Sequence, residues 1–226
     1  MRFFRSSTRL LATLIFLAGN ASAEITEIAK PRAYKPIEAT QIGTRDDDLG
    51  VANGHQVGPV QITGYEGNAV ALSDLWQEQP LMVIFYRGGW CPFCNMQIKE
   101  LSDHYAEFEA AGVLPVLISV DKPDAASLTT QTYDIPFPVL SDQTLVAHNE
   151  FNVVNKLSDE QKQRAAGRGL DFAEWAGNDH GVIGVASSFL VDTKGVVQWS
   201  TVLKDFTKRP TKDQLIAAIN AWKTSP

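Results

Sequence analysis

Between Leu81 and Leu101 the chain reads LMVIFYRGGWCPFCNMQIKEL, and this stretch limits the possible folds more than any other. Leu81-Met82-Val83-Ile84-Phe85-Tyr86 is a run of apolar and β-branched residues, the pattern of a central strand buried on both faces. Gly88-Gly89 breaks it. Cys91-Pro92-Phe93-Cys94 then opens a helix, where Pro92 suits the first turn because an N–H at that place has no intrahelical partner. From Cys91 the apolar spacing is 91, 94, 98, 101, 105, 108, which places Cys91, Cys94, Ile98, Leu101, Tyr105 and Phe108 on one face of a single amphipathic helix. Cys94 falls at the top of the buried stripe. Cys91 is expected one turn higher, at an exposed helix N-terminus.

That placement points to redox chemistry. The thiolate is the reactive form of cysteine, and a thiol of pKa about 8.5 is only about 3% ionised at pH 7. The amides and partial positive charge of a helix N-terminus favour the thiolate of Cys91, but by only about 0.3–1 kcal/mol, whereas lowering the pKa by two units takes about 2.7 kcal/mol. Arg87, four residues upstream, is the nearest candidate for the remainder. Cys94 would then attack the modified Cys91 and close a 91–94 disulfide. Other uses of a C-x-x-C pair are less suited to this chain. Tetrahedral zinc needs four ligands and the sequence holds only two cysteines. A structural disulfide across so short a loop would restrict the unfolded chain little.

The first 23 residues read as a leader. Arg2, Arg5 and Arg9 precede the apolar run Leu10 to Ala18, and Ala21-Ser22-Ala23 forms a small-residue cleavage site. The run is about half of the roughly 20 residues that span a bilayer, so a cleaved signal peptide and export, to the periplasm, are expected rather than membrane insertion. The formal net charge of −6 becomes three units more negative without those arginines, a poor basis for binding nucleic acid or anionic lipid. In an oxidising compartment the two cysteines would pair, so a thiolate at Cys91 implies an external dithiol reductant such as a thioredoxin-like protein.

Residues 24–57, with Pro31, Pro36 and Asp46-Asp47-Asp48, read as an extended lead-in, and 58–226 as one α/β domain. Val60 to Thr63 and Ala69 to Leu72 alternate around Glu66-Gly67-Asn68 as an N-terminal hairpin extension. Val113 to Val120 is a second buried strand, Pro123 to Tyr133 a helix, Phe137 to Leu140 a short strand, and 143–168 mostly helical. Residues 169–184 read as a loop-rich insertion. Ser187 to Asp192 and Val196 to Leu203 form a hairpin, and Gln214 to Trp222 closes the chain as an amphipathic helix. Strands alternating with helices predict a central sheet covered by helices on its faces.

From about Val60 to Lys223 the chain resembles the AhpC/TSA branch of the thioredoxin superfamily. The resemblance is carried by Tyr86-Arg87-Gly88-Gly89-Trp90-Cys91-Pro92-Phe93-Cys94-Asn95, by Ser188 to Gly195, and by Asp205-Phe206-Thr207-Lys208-Arg209-Pro210. It implies a thioredoxin-like fold, a central mixed sheet flanked by helices, and a thiol-dependent peroxidase without cofactor or metal, with Cys91 attacking a peroxide, Cys94 resolving it and Arg87 assisting. Two departures from typical peroxiredoxins stand out. Gly88 occupies the position of a Thr or Ser three residues before the reactive cysteine, and Val185 to Ser188 lacks an expected Arg. Trp90 directly before the motif is similar to thioredoxins and exported disulfide reductases, which makes a thiol:disulfide oxidoreductase the alternative. Those proteins carry a cis-proline where Ala186 stands here, and a non-proline bond at that place is expected to be trans. Trp90, Pro92 and Ala186 are thus the expected site lining. His55, His104, His148 and His180 are scattered. His180 raises one further alternative, copper binding with Cys91 and Cys94 as in exported chaperones of the Sco type, although those space their cysteines by three residues.

Overall fold

The computed structural model describes residues 25–46 and 48–225, so the expected leader lies outside the described residues. In chain order, β1 (Lys35–Pro36) and a 3₁₀ turn lead to β2 (Gln61–Gly64), β3 (Ala69–Ala71) and α1 (Leu72–Glu78). Next come β4 (Leu81–Phe85), α2 (Pro92–Asp103), α3 (Tyr105–Ala110), β5 (Leu114–Ser119) and α4 (Pro123–Thr132). Then follow β6 (Val139–Ser141), α5 (Val146–Glu150), β7 (Val154–Lys156), α6 (Asp159–Ala166) and α7 (Phe172–Ala176). The chain finishes with β8 (Val182–Gly184), β9 (Ser187–Val191), β10 (Val197–Val202), β11 (Lys208–Arg209) and α8 (Lys212–Lys223).

Seven strands form one mixed sheet in the order β10-β9-β4-β5-β6-β2-β3. Pairing is parallel along β4-β5-β6 and antiparallel elsewhere. The hairpin β2–β3 is therefore an edge of the main sheet, joined through β6. All five residues of β4 are buried, as the continuous apolar run requires. Because successive side chains point to opposite faces, β4 divides the interior into two cores. Leu81, Val83 and Phe85 pack with Val116, Ile118, Phe151 and Phe189 on one face. Met82, Ile84 and Tyr86 pack on the other with both cysteines, Ile98, Leu101, Leu215 and Ile219. Thr211 and Gln214 close a reciprocal capping box that starts α8 and sets Leu215 and Ile219 inward.

Three expectations change. The apolar stripe from Cys91 to Phe108 is present, but it lies on two helices: His104 (φ −119°, ψ 21°) leaves helical geometry and ends α2 before α3 begins. Ser102 donates back to the Ile98 carbonyl one turn earlier, a bond that bends helices. Residues 143–168 are not continuously helical, because β7 stands between α5 and α6. Its antiparallel partner β8 supplies ladder bonds that local helix propensity cannot reveal. Residues 169–184 contain that strand and α7, so the segment is structured. Trp175 and Ala176 of α7 are buried.

Candidate active site

Strand β4 delivers the chain to a tight turn, Arg87 to Trp90, from which α2 starts. Gly88 sits at φ +140°, a conformation costly for a side chain, and a Cβ there would fall 2.7 Å from Asp121 Oδ1 and still closer to the Trp90 indole nitrogen. The position of the missing Thr or Ser is therefore closed to any side chain by the backbone itself. The Cys91 amide donates to the Gly88 carbonyl (3.0 Å), and Cys91 is the N-cap of α2 with Pro92 as its first residue.

Both sulfurs are buried, which corrects the expectation of an exposed Cys91. Two arginines flank them. Arg87 Nη1 lies 4.0 Å from Cys91 Sγ, and the Arg87 amide donates to Cys94 Sγ at 3.4 Å. The Arg87 guanidinium is held between the Trp90 ring (4.8 Å) and the Phe206 ring (3.9 Å). Arg209, on β11 and 115 residues beyond Cys94, donates from Nη2 to Cys94 Sγ at 3.0 Å and is itself buried. Burial alone would push the Cys91 thiol up. The hydrogen bond with Cys94, the charges of Arg209 and Arg87, and the Cys94 amide outweigh it and bring Cys91 down to about 5. At pH 7 such a thiol is about 99% ionised. Burial, and then the neighbouring Cys91, hold Cys94 well above the usual range. One sulfur is thus a thiolate and its neighbour a thiol.

Asp121, just past the end of β5, completes the underside of the turn. Its Oδ2 accepts from the Gly89 amide at 2.8 Å, while Oδ1 and the nearby Tyr86 hydroxyl are buried without partners. Burial pushes the Asp121 carboxyl up to about 7, against the Gly89 and Ser119 hydrogen bonds.

The lead-in segment crosses this turn. The Ala29 amide donates to the Gly89 carbonyl (3.0 Å) and the Arg32 amide to the Pro92 carbonyl (2.9 Å), one on each side of Cys91. Asn95, buried on α2, donates to both Ala29 O (2.6 Å) and Gly89 O (2.7 Å). β1 then pairs in parallel with β11, the strand that carries Arg209. From the other side α7 packs on the turn: Phe172 meets the Trp90 ring edge-on at 4.9 Å, and Trp175 joins Ile28 and Trp90 in an apolar cluster.

Of the expected residues, Arg87, Trp90, Pro92, Cys91 and Cys94 come together. Ala186 is buried in the segment leading into β9 and lines a cavity of about 340 Å³ with Arg87, Leu157, Val185 and Phe206. The Val185–Ala186 bond is trans, as its sequence leads one to expect. His180 does not join the cysteines. It lines a separate cavity of about 630 Å³ with Phe172 and Lys162, and among the described residues no three His, Cys, Asp or Glu side chains converge as metal ligands. The Cys91, Cys94 and His180 trio of the copper reading is therefore not assembled among the described residues. Sequence reading missed Arg209 and Asp121. Arg209 was within reach, since Asp205 to Pro210 carries part of the resemblance. Nothing local marks Asp121.

The sheet, the strand–turn–helix and the paired thiols define a thioredoxin-like protein with its two cysteines at the start of α2. A family model, "AhpC/TSA family", matches residues 54–200. The chain belongs to the AhpC/TSA family. It is 31% identical over 107 residues to the chloroplastic peroxiredoxin Q of Sedum lineare, covering 47% of this chain and 57% of that protein. It is 34% identical over 88 residues to peroxiredoxin Bcp of Escherichia coli K12, covering 39% and 56% respectively. The chain thus spans little more than half the length of these relatives. Among solved structures, peroxidoxin BcpB of Mycobacterium tuberculosis superposes with a TM-score of 0.59 at 19% identity, over 76% of this chain and 97% of that one. Reduced Prx3 of Vibrio vulnificus, in complex with hydrogen peroxide, superposes at 0.61 and 13%, over 75% and 99%. These two likenesses bear on the fold. Arg209 and the segment around Ala29 lie outside the matched range of the family model.

Proposed function

We propose that this protein is a thiol-dependent peroxidase. The Cys91 thiolate attacks the O–O bond of a peroxide, giving a sulfenate at Cys91 and releasing an alcohol or water that keeps the peroxide proton. After protonation, the sulfenic acid condenses with the Cys94 thiol; an S–S bond forms, the S–O bond breaks, and water leaves. An external dithiol, of the kind a thioredoxin-like protein presents, returns the disulfide to two thiols. Arg87 and Arg209 stabilise the thiolate, and Arg87, at the wall of the cavity beside Ala186, also faces the departing oxygen. The observation that carries this reading is the buried Cys91–Cys94 pair at the start of α2, with Arg87 Nη1 4.0 Å from Cys91 Sγ and Arg209 Nη2 3.0 Å from Cys94 Sγ. The names of the curated relatives favour it over a disulfide oxidoreductase, as does the lack of a cis-proline at Ala186. The basic and apolar pattern of residues 1–23 supports export to the periplasm. None of the helices described is long and apolar enough to cross a membrane.

Stopped-flow tryptophan fluorescence tests the reading, because Trp90 adjoins Cys91. Reduced protein mixed with stoichiometric hydrogen peroxide should give a fast signal that ends in a 91–94 disulfide, and Cys91→Ser should lose at least a thousandfold in rate. Silence toward peroxides together with rapid exchange with a protein or glutathione disulfide would replace the peroxidase with an oxidoreductase. Fractionation of the native host checks export: retention of an uncleaved leader in the cytoplasm would remove that part of the proposal.

A further inference from the structure

Arg209 is a buried cation with an unusual set of neighbours. It is 2% exposed, its Nη2 donates to Cys94 Sγ at 3.0 Å, and its Nε is buried without any partner. Among the described residues no carboxylate is in ion-pair contact with it. A guanidinium removed from water needs a compensating anion, and losing one partner of such a pair is strongly destabilising. Here the guanidinium binds Cys94 Sγ, and the anion that its charge favours is the adjoining Cys91 thiolate.

The backbone of Arg209 has a second task. The Ile37 amide donates to its carbonyl (3.1 Å) and the Lys35 amide to Thr207 O (2.8 Å), which fastens residues 35–37 to β11. From there the same strap runs back over the start of α2, where the Arg32 and Ala29 amides bind the carbonyls on either side of Cys91. Arg209 therefore touches the Cys94 sulfur with its side chain and the strap with its main chain. Both sulfurs are sealed from solvent, yet an external dithiol must reach the disulfide in every cycle.

We propose that Arg209 couples the redox state of the Cys91–Cys94 pair to closure of the strap formed by residues 28–37. The inference rests on the redox reading of the two cysteines. In the reduced state the thiolate balances Arg209, β11 is held in place and the strap is shut. On oxidation each sulfur gives up one electron to a two-electron oxidant. The S–S bond forms, the Cys94 proton leaves with the reduced oxidant, and the negative charge is gone. Arg209 is left beside a neutral disulfide and turns toward water. Its strand loosens from β1, and the strap opens over the disulfide for the incoming dithiol. Because Arg209 favours the thiolate form, it also makes the disulfide the more oxidising partner, as stabilisation of a reduced form does in general. Arg209 is a positioning residue in this scheme.

Amide hydrogen exchange over residues 28–37 tests the coupling, with purified protein compared fully reduced and after oxidation by diamide, which forms the disulfide as it is reduced to its hydrazine. Exchange at Ala29, Arg32, Lys35 and Ile37 is expected to be at least tenfold faster in the oxidised protein. In Arg209→Met the ratio between the two states should fall to within twofold, and the reduction potential should become more negative by about 30 mV or more, the equivalent of a tenfold change in the equilibrium constant. Equal exchange in the two states of the wild-type protein overturns the inference whether or not the variant folds. So does a variant that keeps the wild-type ratio. Failure of diamide to form the disulfide removes the redox reading and the inference together. Coupling under diamide in a protein inert to peroxide would leave the inference standing and remove only the peroxidase.

Discussion

The two faces of β4 are built from the same strand and serve opposite purposes. On the face of Leu81, Val83 and Phe85 the interior is largely apolar, and its buried polar pair is joined directly: Asp142 Oδ2 accepts from His148 Nδ1 at 2.7 Å and from the His148 amide at 2.8 Å, with Asp142 Oδ1 and His148 Nε2 left without partners. Phe85, Phe151 and Phe189 meet one another edge-on or tilted, with centroids 5.0–6.0 Å apart. On the face of Met82, Ile84 and Tyr86 the apolar layer ends in two sulfurs, an arginine without a carboxylate, an unpartnered tyrosine hydroxyl and a half-satisfied aspartate. Such groups lower stability when left alone. Orphaned polar atoms thus occur on both faces, and what sets the second apart is the pair of thiols with the buried Arg209 bound to Cys94.

Breaking the apolar face should have the largest effect. Phe85→Ala removes the ring that meets Phe151, Phe189 and His148, and should cost about 3–5 kcal/mol in urea unfolding. Any protein that still folds should keep the low thiol titration of Cys91, since Phe85 lies on the far side of the sheet. A changed titration would mean that the two faces are not separable.

Asp121→Asn sharpens the contrast through pH. The folded Asp121 titrates near 7 because it is buried, well above its unfolded value near 4. Its contribution is complete below pH 4 and is lost as pH rises to about 7. The variant should therefore gain on the wild type across that window, by up to about 4 kcal/mol, and no further above it. A stability difference independent of pH would show that Asp121 is ionised throughout.

Arg209→Met should raise the Cys91 pKa by about 1–3 units, read from thiolate absorbance, because a close opposite charge is removed from a buried site. Above the Cys91 titration the variant should also be less stable, by about 1.4 kcal/mol for each unit of that shift, since the buried thiolate loses a partner charge. Arg87→Ala should raise the pKa by less than a unit and in a salt-dependent way, as Arg87 is half-buried and 4.0 Å from the sulfur. Equal shifts for the two variants would contradict the greater burial of Arg209.

Across the pH range Cys91 acts in the opposite sense to Asp121. Its folded pKa of about 5 lies below the unfolded value, so the stability it adds is present above pH 8.5 or so and is lost as pH falls through 5. Cys91→Ser should remove that dependence from the unfolding curve.

Much of this was open to reading from the chain alone. The apolar run of β4, the Gly88-Gly89 break and the 3–4 spacing after Cys91 are local patterns, and local patterns determine the strand, the turn, the helix and the adjacency of the two thiols. They also made Arg87 a candidate, as the cation nearest to Cys91 along the chain, without placing its side chain. Tertiary structure decided what surrounds those thiols. Arg209 reaches Cys94 only because β11 lies against β1. Asp121 sits under Gly89 only because β5 is the parallel neighbour of β4. The burial of Cys91 depends on long-range packing around the turn, and its thiolate depends on Arg209, more than 100 residues away, as well as on the local Arg87. Periodicity reports which face of an element is apolar. It carries no record of which distant side chain will share that face, and the state of a buried thiol is set by those distant charges.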